Sequence, residues 1–356
     1  MAKPFNGEML ALARETRRVS QQELSRFDGR APQATISKVE NGRIQPDESM
    51  AVRFASILKY QLGFFYHSGF RRMPPVSFHR KRQKLGARDL AAIHAQSEIY
   101  RINLSTLLDA VELEARLPAP PAIDPDQHSG NIAIIAETVR QRWGIPRGPI
   151  GDLTRLVEDS GIIIVPFDFG TPLIDGFSQH AGDGLPPIIF INKCQPTDRY
   201  RFSLAHELAH VIMHHTPNPE QEIQANLFAS EFLMPRRDIE PHLYNLSIKK
   251  FMDLKLYWGA SMQALMHKAW ETGRISDRMY KYYNIELARR GFRAREPIAL
   301  SNFNESPAVL REIINEYMTT LEYKVDDLAE LCGLLPDEFR SLYPVPTQRP
   351  QLRIVM

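Results

Sequence analysis

The sequence is poor in cysteine and has no long apolar run. Only two cysteines occur in 356 residues, Cys194 and Cys332, and they form no C-x-x-C pair. This disfavours a disulfide scaffold and a cysteine-based zinc site, and it is typical of the reducing cytoplasm. No apolar stretch reaches the roughly 18 residues of a membrane span, and the N-terminus lacks the apolar run of a signal peptide. We expect a soluble, cytoplasmic protein with no membrane partner.

Charge is unevenly distributed along the chain. Residues 1–88 hold 17 lysines and arginines against 7 aspartates and glutamates, whereas the remainder holds 27 against 35. A basic segment joined to an acidic body indicates a nucleic-acid partner for the first segment. With 43% apolar residues, the chain is also long enough to bury the cores of two or three domains.

Residues 5–66 have the pattern of several short helices. Ser20, followed three residues later by Glu23, forms a capping box that starts one helix. Residues 32–40 begin with proline, are followed by Asn-Gly, and predict a second helix. Two helices joined by a tight, glycine-containing turn form a helix-turn-helix, whose second helix lies in the DNA major groove. The motif S-Q-Q-E-L…Q-A-T-I-S-K-V-E-N-G resembles the Xre/Cro-type repressor module, and the resemblance runs to about Phe65.

The second helix carries the predicted DNA contacts. Ile36 and Val39 should pack inward, so the polar side chains of this helix face outward. Because glutamine can pair with adenine and alanine can touch a thymine methyl, Gln33 and Ala34 are predicted base readers. Phosphate contacts position a protein without specifying a sequence. The residues predicted to make them are Gln22, Ser37, Lys38 and Arg43. The expected partner is a double-stranded DNA operator, read by a homodimer because such repressors usually bind two half-sites.

A second motif has the spacing of a metal site. Residues 201–214, R-F-S-L-A-H-E-L-A-H-V-I-M-H, are mostly apolar, lack glycine and proline, and predict a mostly buried helix. His206 and His210 are four residues apart, which places them about 40° apart around a helix and roughly 6 Å apart along its axis. Two imidazoles on one face suit zinc, and a catalytic zinc keeps three protein ligands and a position for water. Glu207 would be the general base that takes the proton from that water.

The third ligand is predicted on a following helix. In the segment P-N-P-E-Q-E-I-Q-A-N-L-F-A-S-E-F-L-M-P, the residues Ile223, Leu227 and Phe228 predict an apolar face. A helix packed by this face would present Glu222 and complete a set of two histidines and one glutamate. Asn226, one turn later, is a predicted partner for the second ring nitrogen of a ligand histidine. His214 and His215 are alternatives to Glu222, ranked lower because His214 lies one further turn from the ion. Ordinary buried histidines beside a solvated glutamate also fit the pattern.

The motif H-E-L-A-H, followed by E-I-Q-A-N-L-F-A-S-E-F-L-M-P, resembles the ImmA/IrrE family of bacterial metallopeptidases. The resemblance implies a zincin-like domain in which His206, His210 and Glu222 hold zinc and Glu207 is the base. It also implies that the substrate is a DNA-binding repressor. Ala209 stands where the family often has glycine, and this difference should not disturb the zinc.

The expected fold is mainly α with a small antiparallel β-sheet, which is an α+β class. The predicted organisation is a helix-turn-helix domain over 1–67, a basic linker and a long helix over 68–117, a zincin-like metallopeptidase domain over 127–240, and a helical C-terminal extension over 241–356. The long helix is predicted over 88–115, and the basic residues before it either follow the DNA backbone or form a solvated linker.

Three shorter segments also carry predictions. Residues 175–178 are a predicted sheet edge along which a substrate would lie extended. Arg199 and Tyr200 precede the H-E-x-x-H motif and could stabilise an oxyanion, although packing or solvation is the favoured role. Residues 325–343 resemble a second helix-turn-helix superficially, but they would present acidic side chains to phosphate. We therefore expect a packing or oligomerisation module there.

Three functions fit the sequence. The first is a DNA-binding transcriptional regulator carrying a zinc-dependent endopeptidase domain that cleaves a regulatory protein or its own linker. The second is a non-catalytic repressor whose metal-site domain senses a ligand or stabilises the fold. The third is an antitoxin-like repressor that binds a toxin through its acidic body. Glu207→Gln separates the first function from the second, because only catalysis needs the base.

Overall fold

The computed structural model describes residues 3–68, 85–216, 218–293 and 295–346, and this part of the chain is mainly helical. The helices are α1 (Gly7–Thr16), α2 (Gln21–Asp28), α3 (Gln33–Glu40), α4 (Glu48–Leu58), α5 (Ala87–Leu108), α6 (Ile132–Arg142), α7 (Leu153–Asp159), α8 (Thr197–Met213), α9 (Gln221–Leu233), α10 (Arg236–Ile239), α11 (Ile248–Trp258), α12 (Met262–Glu271), α13 (Asp277–Arg289), α14 (Val309–Thr319), α15 (Val325–Leu331) and α16 (Pro336–Leu342). The strands are β1 (Ile163–Phe167), β2 (Gly176–Gln179) and β3 (Ile188–Asn192). The predicted α+β class is confirmed.

The chain divides into two compact units. The first combines Met1–Leu113 with Val309–Met356, and the second is Glu114–Ala308. Residues 241–356, treated above as one extension, are therefore shared between the two units.

The capping box predicted at the start of α2 is present. The Ser20 hydroxyl accepts from the Glu23 amide at 3.2 Å, and the Glu23 carboxylate accepts from the Ser20 amide at 2.7 Å. Gly29 ends α2 with φ 68°, a left-handed conformation that costs glycine little. The next helix, α3, starts directly after Pro32. Local sequence signals thus set both ends of the helix-turn-helix turn.

A buried carboxylate fixes that turn. Asp28 accepts from the Ala31 amide at 2.6 Å and from Arg53 Nε at 2.7 Å, which ties the turn to α4. Ile36 and Val39 of α3 are buried, as predicted. Because Ile36 and Val39 face the core, the opposite face of α3 is turned toward solvent.

The long helix α5 ends at Leu108, although it was predicted to continue to residue 115. Further along the chain, the amides of Arg116 and Leu117 both donate to the Asp159 carbonyl at 2.8 Å. The sequence also predicts an apolar stripe on this helix. Its members Ile93, Ile99, Leu104 and Leu107 are buried, and Leu108 is only half-buried. Residues 69–84 of the predicted basic linker lie outside the described residues.

The last helices of the chain belong to the same unit as the helix-turn-helix. Asn103 of α5 donates to the Tyr343 hydroxyl at 2.9 Å, and Glu338 of α16 pairs with Arg17 at 2.6 Å. Glu338 is one of the acidic residues that would repel phosphate, and here it stabilises an intramolecular contact. Residues 325–343 therefore have a packing role.

The second unit contains a three-stranded sheet in the order β1-β3-β2. The prediction of an antiparallel sheet is wrong in one pairing, since β1 pairs with β3 in parallel while β2 pairs with β3 in antiparallel register. The chain reverses once into β2 and again into β3, and β3 then inserts between the other two strands. All five residues of β3 are buried, which suits a central strand.

Helix α8 packs against α9, β2 and β3, and buried ion pairs fix its first half. Arg201 is fully buried and pairs with Glu305. Asp198, at the start of α8, pairs with the buried Lys255 of α11. Buried charges need such partners because each unpaired ion would cost several kcal/mol of desolvation. The helix with the H-E-x-x-H motif is thus anchored before the motif begins.

Candidate metal centre and DNA-binding surface

Helices α8 and α9 bring His206, His210 and Glu222 together. One ligand atom from each lies within 4.8 Å of the others. The two Nε2 atoms of the histidines are 3.2 Å apart, and the Glu222 carboxylate oxygens approach these nitrogens at 3.7 and 3.6 Å. The glutamate side chain is 27% exposed and each histidine side chain 16%, so the cluster is open to solvent on one side.

These separations fit one shared tetrahedral ion. Zinc bonds of about 2.0–2.1 Å at tetrahedral angles place neighbouring ligand atoms about 3.3 Å apart. The observed spacings of 3.2 to 3.7 Å need only small movements to reach that value. Two imidazoles and a carboxylate are also the donor types that catalytic zinc sites use.

Glu207 lies between α8 and the edge strand β2. The side chain is buried, and Ser178 of β2 donates from its hydroxyl to Glu207 Oε2 at 3.1 Å. Gly176, at the start of β2, is close enough that an added Cβ would lie 3.3 Å from Glu207 Cγ. The strand backbone therefore approaches the carboxylate closely because position 176 carries no side chain.

The second ring nitrogens of both histidines face neighbouring polar atoms. His206 Nδ1 lies 3.1 Å from Asn226 Oδ1, and His210 Nδ1 lies 2.8 Å from His214 Nδ1. His214 in turn places its Nε2 at 3.0 Å from Gln224 Oε1. Burial lowers the pKa of His214, and the hydrogen bond with Gln224 offsets part of that effect. A neutral His214 ring is therefore favoured at neutral pH.

The predicted DNA contacts lie on the outer face of the helix-turn-helix. Gln33 and Ala34 are exposed in the first turn of α3, and the Gln33 amide donates to Gln21 Oε1 at 2.7 Å. Among the predicted phosphate contacts, Gln22, Lys38 and Arg43 are exposed and Ser37 is half-exposed. The structure thus presents these side chains to solvent, and their contacts with DNA stay predictions.

Two family models match the chain. Residues 157–269 match the model of a peptidase family described as the IrrE N-terminal-like domain, and residues 10–65 match a helix-turn-helix model. The chain joins an IrrE-like domain to a helix-turn-helix domain. It is therefore a regulator with a DNA-binding domain and a peptidase-like domain. No curated protein and no solved structure matches the chain.

The matched ranges include the residues described above. The IrrE-like domain contains α8 and α9, and hence the complete candidate metal centre. Its family is generally zinc-dependent, in agreement with the ligand spacings. Among the described residues, no helix is both long and apolar enough to cross a membrane.

The alternative site residues have other contacts in the IrrE-like domain. His214 contacts the outer nitrogen of His210, and His215 stacks on His180 with ring centroids 4.4 Å apart. Arg199 pairs with an aspartate before β2 at 2.6 Å. Tyr200 is buried, which raises its pKa, and its hydroxyl lies 3.2 Å from Thr154. Tyr200 thus has the contacts of a packing residue, whereas Arg199 is exposed and forms a surface ion pair.

Sequence reasoning missed three contributors to the site. Ser178 was considered only as part of a strand, whereas its hydroxyl contacts Glu207. Gly176 was considered only as part of the predicted sheet edge 175–178, and its close approach to α8 was not predicted. Gln224 lies about 200° around α9 from Glu222, so helical spacing alone predicts a core position for it. Its link to the metal helix depends on where His214 lies after α8 ends, which no local pattern shows.

Proposed function

We propose that this protein is a transcriptional regulator that binds DNA through its helix-turn-helix domain and cleaves a protein with its IrrE-like domain. The observation that carries the proposal is the convergence of His206 and His210 of α8 with Glu222 of α9, whose ligand atoms lie within 4.8 Å of one another. Helix α8 also carries Glu207. A structural zinc site usually has four protein ligands. Three protein ligands with a fourth position open to water, beside a further carboxylate, are typical of a catalytic site.

The chemistry proposed for the site is peptide hydrolysis. His206, His210 and Glu222 would hold the zinc, which would supply a more acidic bound water and a Lewis acid for the scissile carbonyl. Glu207 then accepts a proton from the attacking water and transfers it to the departing amide nitrogen. Ser178 donates to Oε2 of this carboxylate and so fixes its rotation. Burial of the Glu207 side chain limits the exchange of that proton with bulk solvent.

The edge strand β2 supports an extended peptide substrate. In the sheet order β1-β3-β2, β3 covers one side of β2, and no described strand pairs with its other side. Ser178 of this strand contacts Glu207. An extended chain that adds to the edge would gain main-chain hydrogen bonds and pass near the carboxylate. This geometry favours an unfolded or loop segment of a protein as the substrate.

The proposed partners follow from both domains. The exposed face of α3 would read a double-stranded operator, and two half-sites would require a homodimer. The cleaved chain would be a regulatory protein or the protein's own linker. A non-catalytic repressor, including an antitoxin-like one, would use the same residues without needing the proton transfer by Glu207.

The test compares wild type with Glu207→Gln, and Glu220→Gln serves as the matched control. Glu220 is exposed and directly precedes α9. Among the described contacts, all of its hydrogen bonds are made by its backbone atoms and none by its side chain. Each zinc-loaded protein is incubated with a proteome-derived peptide library and also alone, and new termini are identified by mass spectrometry. Operator selection and zinc content are measured on the same samples.

We expect new termini with wild type and Glu220→Gln. With Glu207→Gln the rate should be about 10²–10⁴-fold lower, because the general base is lost. DNA binding and zinc content should be equal in all three proteins. Cleavage at equal rates by Glu207→Gln, or no cleavage by zinc-loaded wild type, would refute the peptidase proposal and favour the non-catalytic repressor.

A further inference from the structure

His214 lies immediately after α8, one helical turn beyond His210. The side chain is buried, and its ring centroid is 4.8 Å from that of His210. Its two ring nitrogens have different neighbours, with Nδ1 at 2.8 Å from His210 Nδ1 and Nε2 at 3.0 Å from Gln224 Oε1. The ring therefore connects a candidate metal ligand on α8 to a buried amide on α9.

The proton positions in this chain of contacts follow from the chemistry of neutral imidazole. His210 turns Nε2 toward His206 and Glu222, so a neutral His210 that donates this lone pair to an ion carries its hydrogen on Nδ1. That hydrogen is donated to His214 Nδ1, which must then be unprotonated. A neutral His214 carries its hydrogen on Nε2 and donates it to Gln224 Oε1. Each step has a donor and an acceptor.

Two further contacts hold this arrangement in place. Asn218 Nδ2 donates to Gln224 Oε1 at 3.3 Å, so the amide oxygen of Gln224, which accepts both bonds, faces His214. His180, directly after β2, places Nε2 at 3.0 Å from the His214 carbonyl. Because a carbonyl only accepts, His180 donates there and fixes the backbone at position 214.

We propose that His214 and Gln224 are positioning residues of the metal centre. His214 accepts the Nδ1 hydrogen of His210 and fixes the orientation and tautomer of that ligand, while Gln224 holds His214 in the tautomer that can accept. Together with Asn226, which contacts His206 Nδ1, α9 then orients both ligand histidines as well as supplying Glu222. The inference rests on the zinc site of the proposed function and not on its peptidase activity.

The test measures zinc affinity by chelator competition on the full chain, without any activity assay. His214→Ala removes the acceptor, whereas His214→Asn keeps one, because Asn Oδ1 is attached to Cγ just as His Nδ1 is. Gln224→Leu removes the second contact. Gln221→Leu is the matched control, since Gln221 is also buried on α9 and contacts Asn218 but not His214. Thermal unfolding of each metal-free protein and the visible spectrum of its cobalt form are recorded in parallel.

We expect His214→Ala to weaken zinc binding by about 10–100-fold and to alter the cobalt spectrum. His214→Asn should recover most of the affinity, and Gln224→Leu should bind zinc more weakly than Gln221→Leu. The inference is overturned if His214→Ala binds zinc as wild type does, or if the alanine and asparagine variants are equally weak. A wild type that binds no zinc would instead remove the metal site itself.

Discussion

Gly176→Ala tests how closely β2 approaches the side chain of Glu207. An alanine Cβ at this position would lie 2.9 Å from the Phe190 carbonyl oxygen, 3.1 Å from Ile191 Cδ1 and 3.3 Å from Glu207 Cγ. Favourable contacts between carbon atoms begin at about 3.5 Å. The oxygen belongs to the backbone of the central strand β3 and cannot rotate away, so β2 must move away from β3.

The expected cost follows from this overlap. Overpacking of one methyl against fixed neighbours costs about 2 kcal/mol of the free energy of unfolding. For a domain of the size of Glu114–Ala308, each kcal/mol lowers the melting temperature by about 2–4 °C. Gly176→Ala should therefore lower the melting transition of this unit by about 4–8 °C. Zinc content should be unchanged, because all three ligands lie on α8 and α9.

The assay is differential scanning calorimetry of the full chain, with Gly182→Ala as the control. Gly182 lies in the connection between β2 and β3, and a Cβ there would meet no atom within 4 Å. Any peptidase activity should fall about 10²-fold in Gly176→Ala, since a displacement of about 1 Å can have that effect. A melting temperature equal to that of Gly182→Ala would refute the close approach.

Three other predictions concern separate parts of the chain. Burial alone would raise the pKa of Asp28, but hydrogen bonds from Arg53 and two backbone amides lower it. The free energy of folding that ionised Asp28 contributes is therefore present at neutral pH and lost as the pH falls through that lowered pKa. In Asp28→Asn, the free energy of unfolding of the helix-turn-helix domain should therefore depend less on pH in the acid range. Burial raises the pKa of Cys332 to about 12, so a thiol reagent at pH 8 should modify only the exposed Cys194 until the protein is denatured. Lys38→Ala should weaken binding to all DNA sequences alike and reduce the salt slope by about one, whereas an unchanged slope would exclude a phosphate contact.

Local signals predicted the elements that carry the candidate site. The spacing of His206 and His210 on an apolar, glycine-free segment predicted a helix with both rings on one face, because helical geometry fixes that relation. The start of α2 was equally predictable, since Ser20 and Glu23 cap it through contacts three residues apart. The following segment was correctly predicted to be a helix that carries Glu222, but the predicted apolar face is wrong in part, because Ile223 and Leu227 are exposed and only Phe228 is buried.

Features set by contacts distant in sequence were not predictable. The parallel pairing of β1 with β3 depends on β3 inserting between two strands, and local alternation carries no sign of that. The end of α5 at Leu108 has no local signal either, since residues 109–115 contain neither glycine nor proline. The contacts of His214 with Gln224 and of Ser178 with Glu207 likewise arise only when helices and strand come together.

The most direct test of the proposed metal centre is the zinc content of the purified full chain. Elemental analysis of wild type is compared with that of the His206→Ala/Glu222→Ala double variant. We expect about one zinc per wild-type chain, as in a single catalytic site, and none in the variant. A wild type that holds no zinc even after reconstitution, or a double variant that holds as much zinc as wild type, would contradict the proposed metal centre.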